Sequence, residues 1–167
     1  MIQLAIDPGP AGKPACGWVK TDQNMRVLAC GQDDEKTLVA MIRTGSQERI
    51  ALETVESYGK AVSTSVFSTC ETIGRLTQAA DDAGLPVIRV SRRDVKKALH
   101  LPMNAGDAQV RVKLLLMYKK TGGGSVPQIG TKSAPGPLFG VKGHSMAALG
   151  VAWAAMVASG VRFRSVP

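Results

Sequence analysis

Two acidic residues in this chain stand where carboxylates commonly meet metal ions. Asp7 ends the apolar run Leu4-Ala5-Ile6, and Glu53 ends the apolar run Ile50-Ala51-Leu52. Short apolar runs predict buried strands, and Pro8-Gly9 predicts a turn directly after the first of them. Each carboxylate is therefore expected at the rigid end of a strand, where it could bind a divalent cation. Either acid alone is more often an exposed strand-end residue or a cap; the pair together favours a metal site.

The elements that must position these acids follow a mixed α/β order. The Gly/Pro-rich stretch near 121–142 predicts a flexible loop within a single domain that spans 1–167. Besides the strands that end at Asp7 and Glu53, the pattern predicts strands over Cys16–Lys20, Met25–Cys30 and Pro86–Val90, and helices over Thr37–Thr44, Thr64–Ala83, Arg92–Leu99, from Ala105 or Asp107 to Lys120, and from Gly143 or His144 to Ser159-Gly160.

Composition and charge narrow the class of partner. The 167 residues carry a net charge of +8, which favours a polyanion. No basic amphipathic helix is evident, so nucleic acid is favoured over a membrane surface. The longest apolar stretch, 147–161, is too short to span a bilayer and predicts a buried helix. Aromatic residues make up only 4% of the chain, which argues against broad stacking platforms for single strands.

The three cysteines are scattered and form no metal-finger spacing. Cys16, Cys30 and Cys70 lie in apolar strand or helix patterns, so all three are expected in the core. An odd cysteine number and the lack of a signal-like segment favour a reducing, cytoplasmic setting.

Five ordered blocks of the sequence resemble RuvC-type Holliday junction resolvases, most closely their phage-encoded branch. The blocks are Ile6–Gly9, Glu53, Arg92–Lys97, Ala105–Val110 and His144–Ala152. The resemblance implies an RNase H-like mixed five-stranded sheet flanked by helices, with the first and fourth strands as neighbours. It also implies a homodimer that cuts four-way or branched DNA symmetrically by phosphodiester hydrolysis. Magnesium or manganese ions would then clamp the attacking and leaving oxygens.

The resemblance departs from the family in the last helix. There the family presents two acids, or a histidine and an acid, three residues apart, whereas this chain has His144 and Ala147. Three interpretations stay open: another carboxylate substitutes, the chain is an inactivated variant, or the fold only binds DNA. Asp107 is the best substitute, although an acid at a helix start is as often a cap. The expected metal set is then Asp7, Glu53, Asp107 and His144.

The same resemblance implies roles in DNA binding. Lys96 resembles a lysine that the family directs at the scissile phosphate, and Arg92, Arg93 and Lys97 beside it are expected to anchor phosphates. A solvated helix face is the alternative for this cluster. His144 is either a metal ligand, a general acid or base, or a solvated helix start. Tyr58 could stack on an unpaired base or pack on its own domain.

Two other classes of protein compete with a nuclease. An actin-like phosphotransferase also begins with an acidic first strand, but it needs two domains and a second phosphate loop, and the glycines 122–124 follow a helix. A junction-binding module that has lost cleavage would explain Ala147. If the chain dimerises, the apolar stripe of the helix Thr64–Ala83 is the expected interface.

Overall fold

Strands and helices follow one another along the chain in the order that the apolar periodicity predicts. The computed structural model describes residues 1–11, 13–56 and 63–160; Tyr58 and the basic tail near residue 163 lie outside the described residues. The elements are β1 (Gln3–Asp7), β2 (Cys16–Thr21), β3 (Val27–Asp33), α1 (Glu35–Thr44), β4 (Arg49–Glu53), α2 (Thr64–Asp82), β5 (Val87–Val90), α3 (Arg92–Ala98), α4 (Asp107–Leu116) and α5 (His144–Ala158).

The strands form one mixed sheet in the order β3-β2-β1-β4-β5. Strands β1, β4 and β5 run parallel, β2 pairs antiparallel with β1, and β3 pairs antiparallel with β2. The expected RNase H-like sheet with flanking helices is therefore confirmed, including the adjacency of the first and fourth strands. The register pairs Ile6 with Leu52, so Asp7 and Glu53 are the next residue on each strand and share one edge of the sheet.

Side-chain alternation along the strands gives the sheet two buried faces. Leu4 and Ile6 pack with α1 and α2, whereas Ala5 between them faces the second core with α5. Ala51 on β4 also belongs to this second core, and the two small side chains let α5 lie close to the sheet. Helix α5 is apolar on nearly all sides because it lies between the sheet, α3 and α4. No helix in the described ranges is long and apolar enough to cross a membrane.

Strand β3 begins later than the apolar pattern predicts. The carboxylate of Asp22 accepts hydrogen bonds from the backbone N–H groups of Asn24 and Arg26, which stabilises a turn. Met25 within it has a positive φ of 63° and is fully buried. The apolar residue that suggested a strand start therefore belongs to the turn.

Cys70 is not in the core, so that expectation is wrong. It is exposed on α2, because the buried side of this helix is formed by Thr72, Leu76, Ala79 and Ala80. Cys16 is buried as expected, and Cys30 is half-buried.

The segment 121–142 contains no regular helix or strand, but its backbone is extensively hydrogen-bonded. A bridge joins Gly130 to Pro135, and Gln128, Leu138 and Val141 are buried. The flexibility expected of this segment stays a prediction.

Candidate functional site

The adjacent parallel strands β1 and β4 bring Asp7 and Glu53 together at one sheet edge. Both side chains are largely buried, with 19% of Asp7 and 15% of Glu53 exposed. After β1 the chain turns away through Pro8 and Gly9. A Cβ at Gly9 would meet the backbone and side chain of Ala15 at 2.6–2.8 Å, so this turn requires glycine.

The two carboxylates perturb each other's ionisation. Burial raises the pKa of Glu53 to about 7; the charge of Asp7 adds to the increase and Arg92 opposes it. Burial also raises the pKa of Asp7, although interactions with His144 oppose this. Glu53 Oε2 is buried and accepts no hydrogen bond from the described residues. Two close acceptors need a shared proton or a cation between them, and a divalent ion would meet that need.

Helix α5 adds His144 to the pair of acids. His144 is the first residue of the helix, and its Nδ1 lies 3.1 Å from Asp7 Oδ2. The close approach depends on Gly17, which pairs with Asp7 across the β1–β2 ladder. A Cβ at Gly17 would lie 2.1 Å from the carbonyl carbon and oxygen of His144. Nothing in the sequence pattern singled out Gly17, because the contact joins residues far apart in the chain.

Arg92 connects the acids on the strands to α4. Its Nη1 lies 3.9 Å from Glu53 Oε1, and its Nη2 donates a hydrogen bond to Asp107 Oδ1. Ser91 and Asp94 form a capping box that fixes the start of α3 and hence the backbone of Arg92. The carboxylate of Asp107, expected from the sequence as a metal ligand, is thus held in an ion pair.

These side chains line one open cleft of about 760 Å³. Ala147 lies in its wall, one helical turn after His144, at the position where the resemblance to RuvC-type resolvases led to the expectation of an acid. Arg111, one turn after Asp107 on α4, also lines the cleft and was not identified from the sequence. Its spacing of four residues from Asp107 could have revealed it, because such residues share a helix face.

Three of the expected DNA-binding residues, Arg93, Lys96 and Lys97, are not among the residues that line this cleft. Lys96 donates a hydrogen bond from Nζ to the carbonyl of Met103 at 2.7 Å, and it is not among the cleft residues. Arg93 lies 3.9 Å from Glu56. Lys97 lines a separate depression with Arg89. Of the basic cluster, Arg92 therefore lies beside the acids of the cleft, whereas Arg93, Lys96 and Lys97 make their contacts outside it.

The donor atoms fit a metal that is only partly coordinated by protein. Among the described residues, no three His, Cys, Asp or Glu side chains are arranged to hold a metal ion on their own. Magnesium commonly binds through one or two carboxylates, with water and substrate phosphate completing its shell. The paired acids Asp7 and Glu53, with an unsatisfied buried oxygen, suit that kind of site.

Comparison with known proteins supports the fold. No protein-family model and no curated protein matches this sequence. Among solved structures, Thermus thermophilus RuvC is similar, with a TM-score of 0.65, 19% sequence identity and coverage of 96% of each chain. The structure of T. thermophilus RuvC in complex with a Holliday junction substrate matches with the same values. At this identity the likeness establishes a RuvC-type fold.

Proposed function

We propose that this protein is a metal-dependent endonuclease that resolves four-way or branched DNA junctions by symmetric phosphodiester hydrolysis. The observation that carries the proposal is the pair of buried, mutually perturbed carboxylates, Asp7 and Glu53, at adjacent strand ends in an open cleft. The RuvC-type fold and the net charge of +8 support DNA as the substrate.

Asp7 and Glu53 form the proposed donor pair for Mg²⁺ or Mn²⁺, and His144 lies beside Asp7. A bound divalent ion would supply positive charge for a phosphate oxygen and acidify an attacking water. The side chains have separate tasks. Asp7 and Glu53 fix the position of the cation, and the rigid strand ends limit their movement. His144, 54% exposed and beside Asp7, is placed to hold a ligand position or to accept a proton from water.

Symmetric cutting requires two such sites, so we propose that the protein acts as a homodimer. The apolar stripe expected to form the interface is largely unavailable, because Leu76, Ala79 and Ala80 are buried in the core. The proposed interface is instead the outer side of α2, which carries Phe67, 62% exposed, and the exposed Cys70. Exposed aromatic side chains of this size are more common at interfaces than on free surfaces.

Cleavage of an end-labelled synthetic four-way junction, first with Mg²⁺ and then with Mn²⁺, tests the proposal. The expected products are two nicked duplexes from symmetrically placed cuts. Asp7→Asn should abolish cleavage while junction binding is kept or tightened, because a negative charge near phosphate is removed. Glu48→Gln is the matched control, since it removes an exposed acid that precedes β4 at the end far from Glu53.

A second candidate, a junction-binding module without cleavage, is motivated by Ala147 in the cleft wall. Specific binding of the junction without product in either metal would favour that module. Full activity of Asp7→Asn would instead overturn the assignment of the metal site.

A further inference from the structure

Arg92 is held between two carboxylates at the border of the cleft. It contacts Asp107 through Nη2, and its Nη1 lies 3.9 Å from Glu53 Oε1. Its own side chain is 28% exposed, whereas that of Asp107 is 89% exposed. The guanidinium therefore lies between the buried acids and the open space that a substrate would occupy.

The ion pair orients the guanidinium more than it stabilises the fold. A pair whose carboxylate is almost fully in solvent contributes little to folding, because water screens the charges. An arginine head group is planar and carries five N–H donors in a fixed arrangement. With Nη2 on Asp107, the remaining donors keep a defined direction in the cleft.

Asp107 also keeps Arg92 from binding Glu53 closely. The 3.9 Å separation between Arg92 Nη1 and Glu53 Oε1 is longer than a hydrogen bond, whereas Arg92 Nη2 donates a hydrogen bond to Asp107 Oδ1. Without the charge of Asp107, the guanidinium would be free to close on Glu53. A positive charge there would compete with a divalent ion for the same carboxylate.

We propose that Arg92 is a catalytic residue that binds the phosphate being cut, and that Asp107 is the positioning residue that aims it. The inference rests on the proposed nuclease function and deepens it. Arg92 donates hydrogen bonds to the non-bridging phosphate oxygens, whose negative charge increases during hydrolysis, and it transfers no proton. Asp107 acts through Arg92 and not as a metal ligand.

Manganese binding to the protein alone separates the two roles of Asp107. Affinity for Mn²⁺ would be measured by electron paramagnetic resonance in Arg92→Ala and in the double variant Arg92→Ala/Asp107→Asn. If Asp107 only positions Arg92, adding Asp107→Asn changes the affinity by less than about threefold, because the removed charge is solvent-exposed. A further loss of about threefold or more would show that Asp107 acts on the metal, directly or through its surroundings, and would overturn the inference.

Single-turnover cleavage of the junction gives the second readout. Arg92→Ala should slow cleavage by about 100-fold or more, the effect of losing one donor to a transition-state anion. Arg92→Lys should recover only part of this rate, because a single ammonium cannot hold Asp107 and phosphate together. Asp107→Asn should cost nothing further once Arg92 is alanine. Independent, multiplying losses would contradict a positioning role.

Arg43→Ala is the matched control, because it removes an arginine from an exposed ion pair on α1 and should leave the cleavage rate unchanged. If the wild type binds Mn²⁺ and junctions but does not cut the junction, the nuclease proposal fails. The phosphate contact of Arg92 is then still tested by the salt dependence of junction binding. Arg92→Ala should then lower the slope of log affinity against log salt by about one. An unchanged salt slope in Arg92→Ala would refute the proposed contact between Arg92 and phosphate.

Discussion

Replacing Glu53 by glutamine is expected to stabilise the metal-free protein at neutral and alkaline pH. Glu53 is the acid whose ionisation is most opposed by the fold, since it is buried beside Asp7 and one of its oxygens accepts no hydrogen bond from the described residues. Glutamine has nearly the same shape and no charge. The variant thus removes the cost of ionising a buried group while keeping the packing.

The size of the effect follows from the pKa of Glu53, which rises from 4.5 to about 7 on folding. Between these values the folded protein keeps a proton that the unfolded chain releases, so the free energy of unfolding falls as the pH rises through this window. Above it the penalty is constant. Since one pKa unit corresponds to about 1.4 kcal/mol, the penalty at pH 8 is about 3 kcal/mol.

Thermal unfolding in EDTA at pH 8 and at pH 4.5 measures this penalty. At pH 8 the Tm of Glu53→Gln should exceed that of the wild type by roughly 6–12 °C, and the gap should close towards pH 4.5. Glu48→Gln should shift the other way at pH 8, because a hydrogen bond from the Ile2 backbone lowers the pKa of Glu48. A Glu53→Gln variant no more stable than the wild type at pH 8 would refute the reasoning.

Addition of Mg²⁺ or Mn²⁺ at pH 8 should make the wild type more stable than Glu53→Gln, the reverse of the order expected in EDTA. An ion that binds the folded protein raises its stability by mass action, and only the wild type keeps both carboxylates. The Tm of the wild type should therefore rise with metal concentration, while that of Glu53→Gln should change little. Equal rises in both proteins would show that the ion binds elsewhere.

The other predictions concern DNA binding and the cleft wall. Junction affinity should fall steeply between low and physiological salt, measured by fluorescence anisotropy, because a charge of +8 acts through phosphate contacts; a flat response would contradict this. Gly17→Ala should lower the free energy of unfolding by about 1–3 kcal/mol and abolish cleavage, because the added methyl group displaces His144. A Gly17→Ala variant with the Tm and cleavage rate of the wild type would refute the close packing of Gly17 on His144. Ala147→Asp should raise the Mn²⁺-dependent rate if Ala147 is an inactivating change, and no gain would exclude that explanation. Lys96→Ala should reduce junction binding and cleavage equally, because Lys96 Nζ donates to the Met103 carbonyl and does not line the cleft. A selective loss of cleavage would instead place Lys96 at the phosphate that is cut.

The amino-acid sequence alone was sufficient to predict the sheet and its two strand-end acids. Strand periodicity and turn chemistry are local properties, so the positions of Asp7 and Glu53 follow from their neighbours in the chain. The resemblance then supplied the adjacency of the first and fourth strands, which the structure confirms. Local pattern also placed His144 at a helix start, but it could not give its distance to Asp7.

Tertiary structure alone decided how the cleft is assembled from these parts. The pairing of Arg92 with Asp107 joins two helices, and the direction of a long, flexible side chain depends on which acid it meets. The same freedom lets Lys96 turn to a backbone carbonyl although it follows Arg92 by one helical turn. Gly17 matters only because the start of α5 packs directly on it. Such contacts between distant segments depend on packing in three dimensions, which no local pattern in the chain encodes.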